Sequence, residues 1–365
     1  MTTGVASATA TTRGRITALV LATLGFAVNF WAWALLSPLG PVYKELLGLT
    51  PFEVSVLVAV PVIVGSLGRI PLGALTDRYG GRLVFGVTSL LGVVPVVFLA
   101  MVTNYPALLI GGFALGLTGA TFAIGIPFVN EWFPPERRGL ALGIFGMGNI
   151  GTAISGFVTP WLAEGYGRPV PFLAVAAALV VVGVAFLLIG RDAPGRQAAT
   201  EPFLVRFLAA ARLRATQELA VMYALTFGGF VAFGVYLPLY LREVYGLTTA
   251  DAAARAAGFV VLATIARPVG GWLSDRWGGV PVLSGSLGVV VICAVVVSFA
   301  PAMPLATVGF LTMAVALGFG NGAVFALVGR EVPARMVGSA TGVVGAAGGL
   351  GGFLPPIVMG LIYQA

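Results

Sequence analysis

Residues 69–82 read RIPLGALTDRYGGR, and residues 267–279 read RPVGGWLSDRWGG. In the first stretch Arg69 precedes Asp77 by eight residues, and the second stretch repeats that spacing. The two copies lie 198 residues apart. A motif that recurs in this way indicates a chain built from two related halves.

A second motif supports the internal duplication, because it recurs at the nearly identical offset of 199 residues. Its matched residues are Pro134, Gly139, Ala141 and Gly143 in one copy and Pro333, Gly338, Ala340 and Gly342 in the other. Parallel repeats related by an axis along the membrane normal build several transporter folds. The two motifs together predict two halves with the same order of helices.

The composition predicts an all-α polytopic membrane protein. Of 365 residues, 59% are hydrophobic and 9% charged, whereas soluble domains have about 45–50% and about 25%. The apolar blocks are about twenty residues long, which suffices to cross a bilayer, and only helices satisfy their own backbone in lipid. The predicted spans are 16–38, 53–75, 83–102, 106–129, 139–162, 170–190, 218–241, 254–274, 280–300, 303–328 and 337–362.

A polar interruption divides six predicted spans from five. We expect an N-terminal helix bundle at 1–190, a cytoplasmic linker at 191–217 and a C-terminal bundle at 218–365. A repeat of six plus six predicts twelve spans, so we expect a truncated sequence that lacks the twelfth; a functional eleven-span form is the alternative. Predicted inner segments have fourteen Lys or Arg and outer loops four, which predicts a cytoplasmic N-terminus in the plasma (inner) membrane.

Residue content argues against several other kinds of function. The chain has no histidine and one cysteine, Cys293, so we expect no metal, no cofactor and no disulfide. Basic residues are scattered between apolar blocks, which is unlike a nucleic-acid-binding face. Gly146, Gly148 and Gly151 spell a dinucleotide fingerprint, but it lacks the strand and the acidic residue that nucleotide binding requires.

Two arginines are predicted to bind an anion. Arg69 and Arg267 are the charged residues well within predicted spans, and a central Arg costs roughly 2.5–3.5 kcal/mol. The spans hold no deep Asp or Glu, so an anion between the two repeat-related arginines would supply the countercharge. The planar guanidinium suits a planar oxyanion. The alternative is that both arginines snorkel or donate to backbone carbonyls of broken helices.

Residues 73–82 resemble the loop 2–3 signature of the major facilitator superfamily, G-x-L-x-D-R-x-G-x-R. Its residues here are Gly73, Leu75, Asp77, Arg78, Gly80 and Arg82, and a partial copy surrounds Asp275 and Arg276. We expect Asp77, Arg78, Asp275 and Arg276 to form inner-loop charge pairs that hold one conformation closed.

Within that superfamily the chain resembles the nitrate/nitrite porter family. It shares an arginine in spans two and eight, the end of span four, GIFGMGNIGTAISG (143–156), Tyr223 with Phe227, GNGAVF (320–325) and TGVVGAAGGLGG (341–352). The resemblance covers the chain apart from the twelfth span. It implies a major-facilitator-type fold of two pseudo-symmetric six-helix bundles, with eleven of twelve spans present, and alternating-access transport of nitrate or nitrite.

The resemblance also implies which side chains contact the substrate. These are Phe122, Asn149, Tyr223 and Phe227, in addition to Arg69 and Arg267; from the residues alone, each aromatic side chain fits a helix core or a lipid-facing surface equally well. Gly146, Gly148, Gly345 and Gly348 are expected to line the site or to pack helices.

Several functional alternatives stay open at this point. Nitrate/nitrite exchange is favoured over nitrate/proton symport, because the chain lacks histidine and its acids fall in loops or at helix ends. A porter of a small carboxylate such as formate or oxalate fits the arginines equally well. A membrane enzyme would need acid–base groups that this chain has no obvious residues to supply, and a channel would need a continuous polar pore. We expect a monomeric, non-enzymatic transporter in the lipid bilayer.

Overall fold

All secondary-structure elements among the described residues are helices; in this computed structural model the described residues are 11–196, 198 and 200–364. In the first half the helices are α1 Thr12–Trp33, α2 Leu36–Leu47, α3 Pro51–Tyr79, α4 Gly81–Met101, α5 Tyr105–Gly119, α6 Phe122–Trp132, α7 Arg138–Gly146, α8 Ile150–Tyr166 and α9 Pro169–Leu188. The remaining helices are α10 Phe203–Arg212, α11 Arg214–Tyr245, α12 Thr249–Trp277, α13 Gly279–Ser298, α14 Met303–Glu331 and α15 Val337–Gln364.

Every predicted span coincides with a helix or a pair of helices. Among the described residues, nine segments are long and apolar enough to cross a membrane, and the bent pair Arg214–Gly234 and Tyr236–Tyr245 provides a tenth. The predicted eleventh span, 337–362, coincides with α15 but extends into residues 353–362, whose side chains lie outside the described part of the chain.

Three predicted spans are in fact interrupted helices. The first consists of α1 and α2, the fourth of α5 and α6, and the fifth of α7 and α8. In the fourth span, Thr118 donates its hydroxyl to the Leu115 carbonyl and Thr121 donates to the Thr118 carbonyl, so side chains occupy main-chain acceptors at the break. The breaks matter for function because they leave helix-terminal carbonyls inside the protein.

The repeated Asp-Arg-x-Gly sequence ends a helix in each half. Gly80 follows α3 with φ 92°, and Gly278 follows α12 with φ 91°. A side chain would strain this backbone conformation, so glycine ends both helices one residue after their aromatic last residue. The next helix begins at once in both halves, as α4 and α13.

The chain divides into two compact units. Unit 1 comprises Met1–Pro134, Gly148–Ala211 and Pro333–Ala346; unit 2 comprises Pro135–Met147, Arg212–Val332 and Ala347–Ala365. The expected division at 191–217 therefore differs from these units at two segments, 135–147 and 333–346. Each begins a glycine-rich predicted span, the fifth or the eleventh.

Glycines permit close helix packing within each unit. In unit 2, a Cβ on Gly139 would overlap the Gly271 carbonyl, and one on Gly143 would lie 2.6 Å from the Arg267 carbonyl oxygen. In unit 1, a Cβ on Gly73 would overlap the Gly338 carbonyl. These glycines thus let the helix backbones approach closely within each unit.

Candidate functional site

Arg69 lies on α3 in unit 1 and is 1% exposed. Its Nη1 donates to the Gly345 carbonyl at 2.5 Å, and its Nε lies 3.4 Å from the Gly119 carbonyl oxygen, at the last residue of α5. The guanidinium carbon is 5.4 Å from the centre of the Phe122 ring, so a cation–π contact accompanies these hydrogen bonds. Unit 1 thus brings together three of the predicted site residues, Arg69, Phe122 and Gly345.

Arg267 lies on α12 in unit 2 and is 3% exposed. Its Nη1 donates to the carbonyl of Gly146, the last residue of α7, at 3.2 Å. The guanidinium carbon lies 5.6 Å from the centre of the Phe227 ring and 5.3 Å from that of Phe230. Among the described residues, its Nε and Nη2 have no hydrogen-bond partner. A buried donor without a partner costs about 1–3 kcal/mol, and more when it is charged.

The two arginines make repeat-related contacts. Gly146 and Gly345, which accept the two hydrogen bonds, are themselves 199 residues apart, the offset of the second motif. The alternative that the arginines donate to backbone carbonyls is therefore observed at both. A carbonyl carries no net charge, so it satisfies one N–H without neutralising the guanidinium.

Aromatic side chains surround the unit 2 arginine. Tyr223 and Phe227 stack with ring centres 5.0 Å apart, and the Tyr223 ring meets Phe325 edge-on at 4.7 Å. A Cβ on Gly348 would overlap the Tyr223 ring, so this glycine makes room for the tyrosine. Unit 2 therefore holds together the predicted residues Arg267, Gly146, Tyr223, Phe227 and Gly348.

The remaining predicted residues of span five lie in unit 1, at the break between α7 and α8. Asn149 is buried there, and its carbonyl accepts the Thr152 hydroxyl at 2.8 Å. A Cβ on Gly148 would overlap the Phe26 ring. Phe26 in turn lies 5.3 Å from the Phe122 ring. Gly148 is thus a packing residue in this unit.

Asp77 and Asp275 each accept hydrogen bonds from the first turn of a helix. Asp77 accepts from the backbone N–H of Gly338 and Ser339, at 2.9 and 2.8 Å. Asp275 accepts from those of Gly139 and Leu140, both at 2.8 Å. A carboxylate is favoured at a helix N-terminus by the exposed N–H groups and the helix dipole.

The observed partners of the charged residues in the two Asp-Arg motifs differ from the expected pairs. Asp77 forms a buried ion pair with Arg206 of α10. Arg78 is exposed and lies over the Tyr79 ring, and Arg276 is exposed and lies over the Trp272 ring. Within the described part of the chain, neither Arg78 nor Arg276 is in an ion pair. Adjacent residues of a helix point in different directions, which explains why neither arginine pairs with its neighbouring aspartate.

Sequence reasoning missed residues whose importance depends on distant contacts. Arg206 falls within the predicted cytoplasmic linker, yet it reaches an aspartate 129 residues away. Phe230 packs on Arg267. Because it lies one helical turn after the predicted Phe227, its position on the same helix face could have indicated this contact. Asn321 lies in the GNGAVF stretch, and its amide is buried without a partner among the described residues. A lone amide in an apolar span was the signal for it.

The fold is that of a polytopic membrane transporter of the major-facilitator class. The sequence profile of the Major Facilitator Superfamily matches residues 22–356, so the chain belongs to that superfamily. The relatives described next place it within the nitrate/nitrite porter family. It is a multi-pass protein of the plasma membrane.

Relatives are similar over nearly the full chain. The "Probable nitrate/nitrite transporter NarK2" of Mycobacterium tuberculosis is 47% identical over 96% of this chain and 90% of its own length. The "Nitrite extrusion protein" of Bacillus subtilis is 38% identical, covering 95% and 87%. The "Probable nitrate transporter NarT" of Staphylococcus aureus is 37% identical, covering 93% and 87%.

Solved structures agree with the fold at low sequence identity. The human organic anion transporter MFSD10 superimposes with a TM-score of 0.77 at 16% identity, covering 94% of this chain and 92% of its own. The proton:xylose symporter XylE superimposes with a TM-score of 0.71 at 18% identity, covering 96% and 89%. These similarities support the major-facilitator fold and carry no information about the substrate.

Proposed function

We propose that this chain is a secondary active transporter of nitrate and nitrite that works by alternating access. Arg69 and Arg267 both bind the transported anion in this proposal. The names of the relatives support the substrate class, and the buried guanidinium groups support the anion.

The observation that carries the proposal is the environment of Arg267. Its side chain is buried, one N–H donates to a carbonyl, and among the described residues Nε and Nη2 lack an acceptor. An oxyanion would accept from both of these nitrogens and would neutralise the charge. Nitrate and nitrite are planar, so they match the guanidinium plane and fit between aromatic rings.

The predicted aromatic residues complete the proposed site. Phe122 lies beside Arg69, and Phe227 lies beside Arg267 with Tyr223 stacked on it. We assign Phe122 and Phe227 to the apolar walls and Tyr223 and Asn149 to polar contacts with the anion. An apolar wall with few polar groups is usual for a small-ligand site.

Exchange of nitrate for nitrite is the proposed mode of coupling. The chain has no histidine, so the residue that most often changes charge near neutral pH is missing. An empty carrier would leave two buried cations without an anion, and a bound anion would favour both the forward and the return step. Proton symport is the competing mode.

Purified protein in vesicles tests the proposal. Vesicles loaded with nitrite should take up labelled nitrate much faster than empty vesicles. Nitrate entry into empty vesicles under a pH gradient alone, with protons entering too, would replace exchange by symport. Absence of nitrate uptake in every condition, together with uptake of formate or oxalate, would reject the substrate class and favour a small-carboxylate porter.

We further propose a cytoplasmic N-terminus, a monomeric assembly and no enzymatic activity. The orientation rests on the fourteen basic residues of predicted inner segments against four in outer loops. Labelling of single cysteines placed in loops, in a variant that has lost Cys293, tests the orientation. Reagent that cannot cross the membrane should label the loop after α4 from outside.

A further inference from the structure

Three polar side chains in unit 2 share an unusual property. Thr226 on α11, Arg267 on α12 and Asn321 on α14 are 0%, 3% and 2% exposed. Among the residues described, the Thr226 hydroxyl, the Arg267 Nε and Nη2, and both amide atoms of Asn321 lack a hydrogen-bond partner. Native proteins seldom leave so many buried polar atoms unsatisfied in one place, so a ligand is the natural explanation.

Contacts on either side of Asn321 show which helix its face of α14 meets. One turn after it, Phe325 packs on Tyr223 of α11 with ring centres 4.7 Å apart. One turn before it, Leu317 lies 3.3 Å from the Cβ position of Gly229, also on α11. Residues four apart share one face of a helix. Asn321 therefore lies on the face of α14 that packs against α11.

The glycines on either side of Asn321 place it between the other two polar residues. A Cβ on Gly320 would lie 2.8 Å from Cγ2 of Thr226, so α14 passes Thr226 at this level. A Cβ on Gly322 would overlap the backbone carbonyl of Arg267, so α14 passes α12 at the same level. The two residues that flank Asn321 thus contact the segments that carry Thr226 and Arg267.

The chemistry of the cluster selects an anion. Arg267 contributes N–H donors and a positive charge, Asn321 contributes an NH₂ group and one carbonyl oxygen, and Thr226 contributes a hydroxyl. Donor hydrogens outnumber acceptor oxygens, and no negative charge is among the three side chains. A cation would be repelled, and water alone would leave the guanidinium charge unbalanced.

We propose that Asn321 and Thr226 are anion-binding residues of the transport site, with the Asn321 Nδ2 and the Thr226 hydroxyl donating to the anion held by Arg267. This inference rests on the proposed transport of nitrate and nitrite. Donors arriving from three helices suit an anion with several separate acceptor oxygens. The cluster therefore favours nitrate and nitrite over chloride, which offers a single spherical acceptor.

Nitrate uptake kinetics in proteoliposomes test this assignment. Asn321→Ala removes the donor, and Asn321→Asp keeps the shape but adds a negative charge beside Arg267. We expect the KM for nitrate to rise about tenfold for the alanine variant, since a hydrogen bond to a charged group contributes about that factor. The KM for nitrate should rise further in the aspartate variant, and it should rise a few fold in Thr226→Val.

Thr216→Val is the matched control. Thr216 is also buried on α11 with an unsatisfied hydroxyl among the described residues, but it lies ten residues before Thr226. Its KM should equal that of the wild type. A lower melting temperature with unchanged KM in the Asn321 variants would overturn the assignment, since it would mean that Asn321 is structural. A wild type that transports no nitrate would overturn the proposed function and this inference together; normal wild-type transport with unchanged variants would overturn only this inference.

Discussion

Asp77 and Asp275 occupy equivalent positions of the repeat, yet their surroundings differ. Each carboxylate accepts two backbone N–H groups from the first turn of a helix, at 2.8–2.9 Å. Asp77 also accepts the hydroxyl of Ser339 at 2.7 Å and pairs with Arg206. Among the described residues Asp275 has neither a hydroxyl donor nor an ion-pair partner; the residue that corresponds to Ser339 is Leu140.

The difference shows what the duplication preserved and what it did not. Capping requires only an aspartate beside the backbone N–H groups at the start of a helix, and this arrangement is present in both halves. Neutralisation of the buried charge depends on α10, which lies outside the repeated spans. Arg196 strengthens this contact in unit 1, because it donates to the carbonyls of Thr76 and Asp77 at 3.2 and 2.8 Å. The part of the linker up to Ala211 therefore belongs to unit 1.

The largest expected effect comes from removing the charge of each aspartate in turn. Asp77→Asn leaves Arg206 buried without its counterion and should cost about 3–5 kcal/mol. Asp275→Asn loses a hydrogen bond at a partly exposed site and should cost about 1 kcal/mol. Thermal unfolding of the purified variants in detergent measures both. Equal destabilisation would contradict the asymmetry between the two copies.

A double-mutant cycle sharpens the comparison. Arg206→Gln combined with Asp77→Asn should destabilise the protein by less than the sum of the two single variants, with a coupling free energy of about 1–3 kcal/mol. Arg206→Gln combined with Asp275→Asn serves as the control and should be additive. Additivity in the first pair would mean that the ion pair contributes nothing to stability.

The smallest effects are expected from substitutions of Ser339 and Leu140, the equivalent residues that follow Gly338 and Gly139 in the two copies. Ser339→Ala removes one hydroxyl bond to Asp77 and should cost about 1.5 kcal/mol. Leu140→Ser would give Asp275 the same hydroxyl and should change stability by less than about 1 kcal/mol, since the gained bond offsets the lost apolar contact. The melting temperature should fall more for Ser339→Ala than for Leu140→Ser. A larger fall for Leu140→Ser would contradict this expectation.

The sequence predicted the spans well because hydropathy over twenty residues depends only on local composition. The two motifs also identified the repeat, and the structure places Asp77 and Asp275 equivalently. Helix interruptions such as that between α7 and α8 were missed. Glycine and small apolar residues do not change hydropathy, so the pattern that reveals a span conceals its break.

The candidate site was predictable only as far as single residues stand out. Arg69 and Arg267 were evident, because a charge in an apolar span is rare. The pairing of Asp77 with Arg206 and the packing of α14 against α11 and α12 around Asn321 depend on contacts between distant segments. A single sequence does not show which of its distant segments meet. That the two arginines bind one anion stays a prediction.

The rate of nitrate uptake by Arg69→Lys and Arg267→Lys tests the central claim most directly. Lysine keeps the charge but loses the planar donor pair, so uptake at low nitrate concentration should fall at least about tenfold in each variant. Arg255→Lys is the matched control, since this arginine also lies on α12 but is exposed and pairs with Asp251. The account predicts normal uptake for the control and severe loss for the other two. Near wild-type uptake by either buried-arginine variant, correctly inserted in the vesicles, would contradict it.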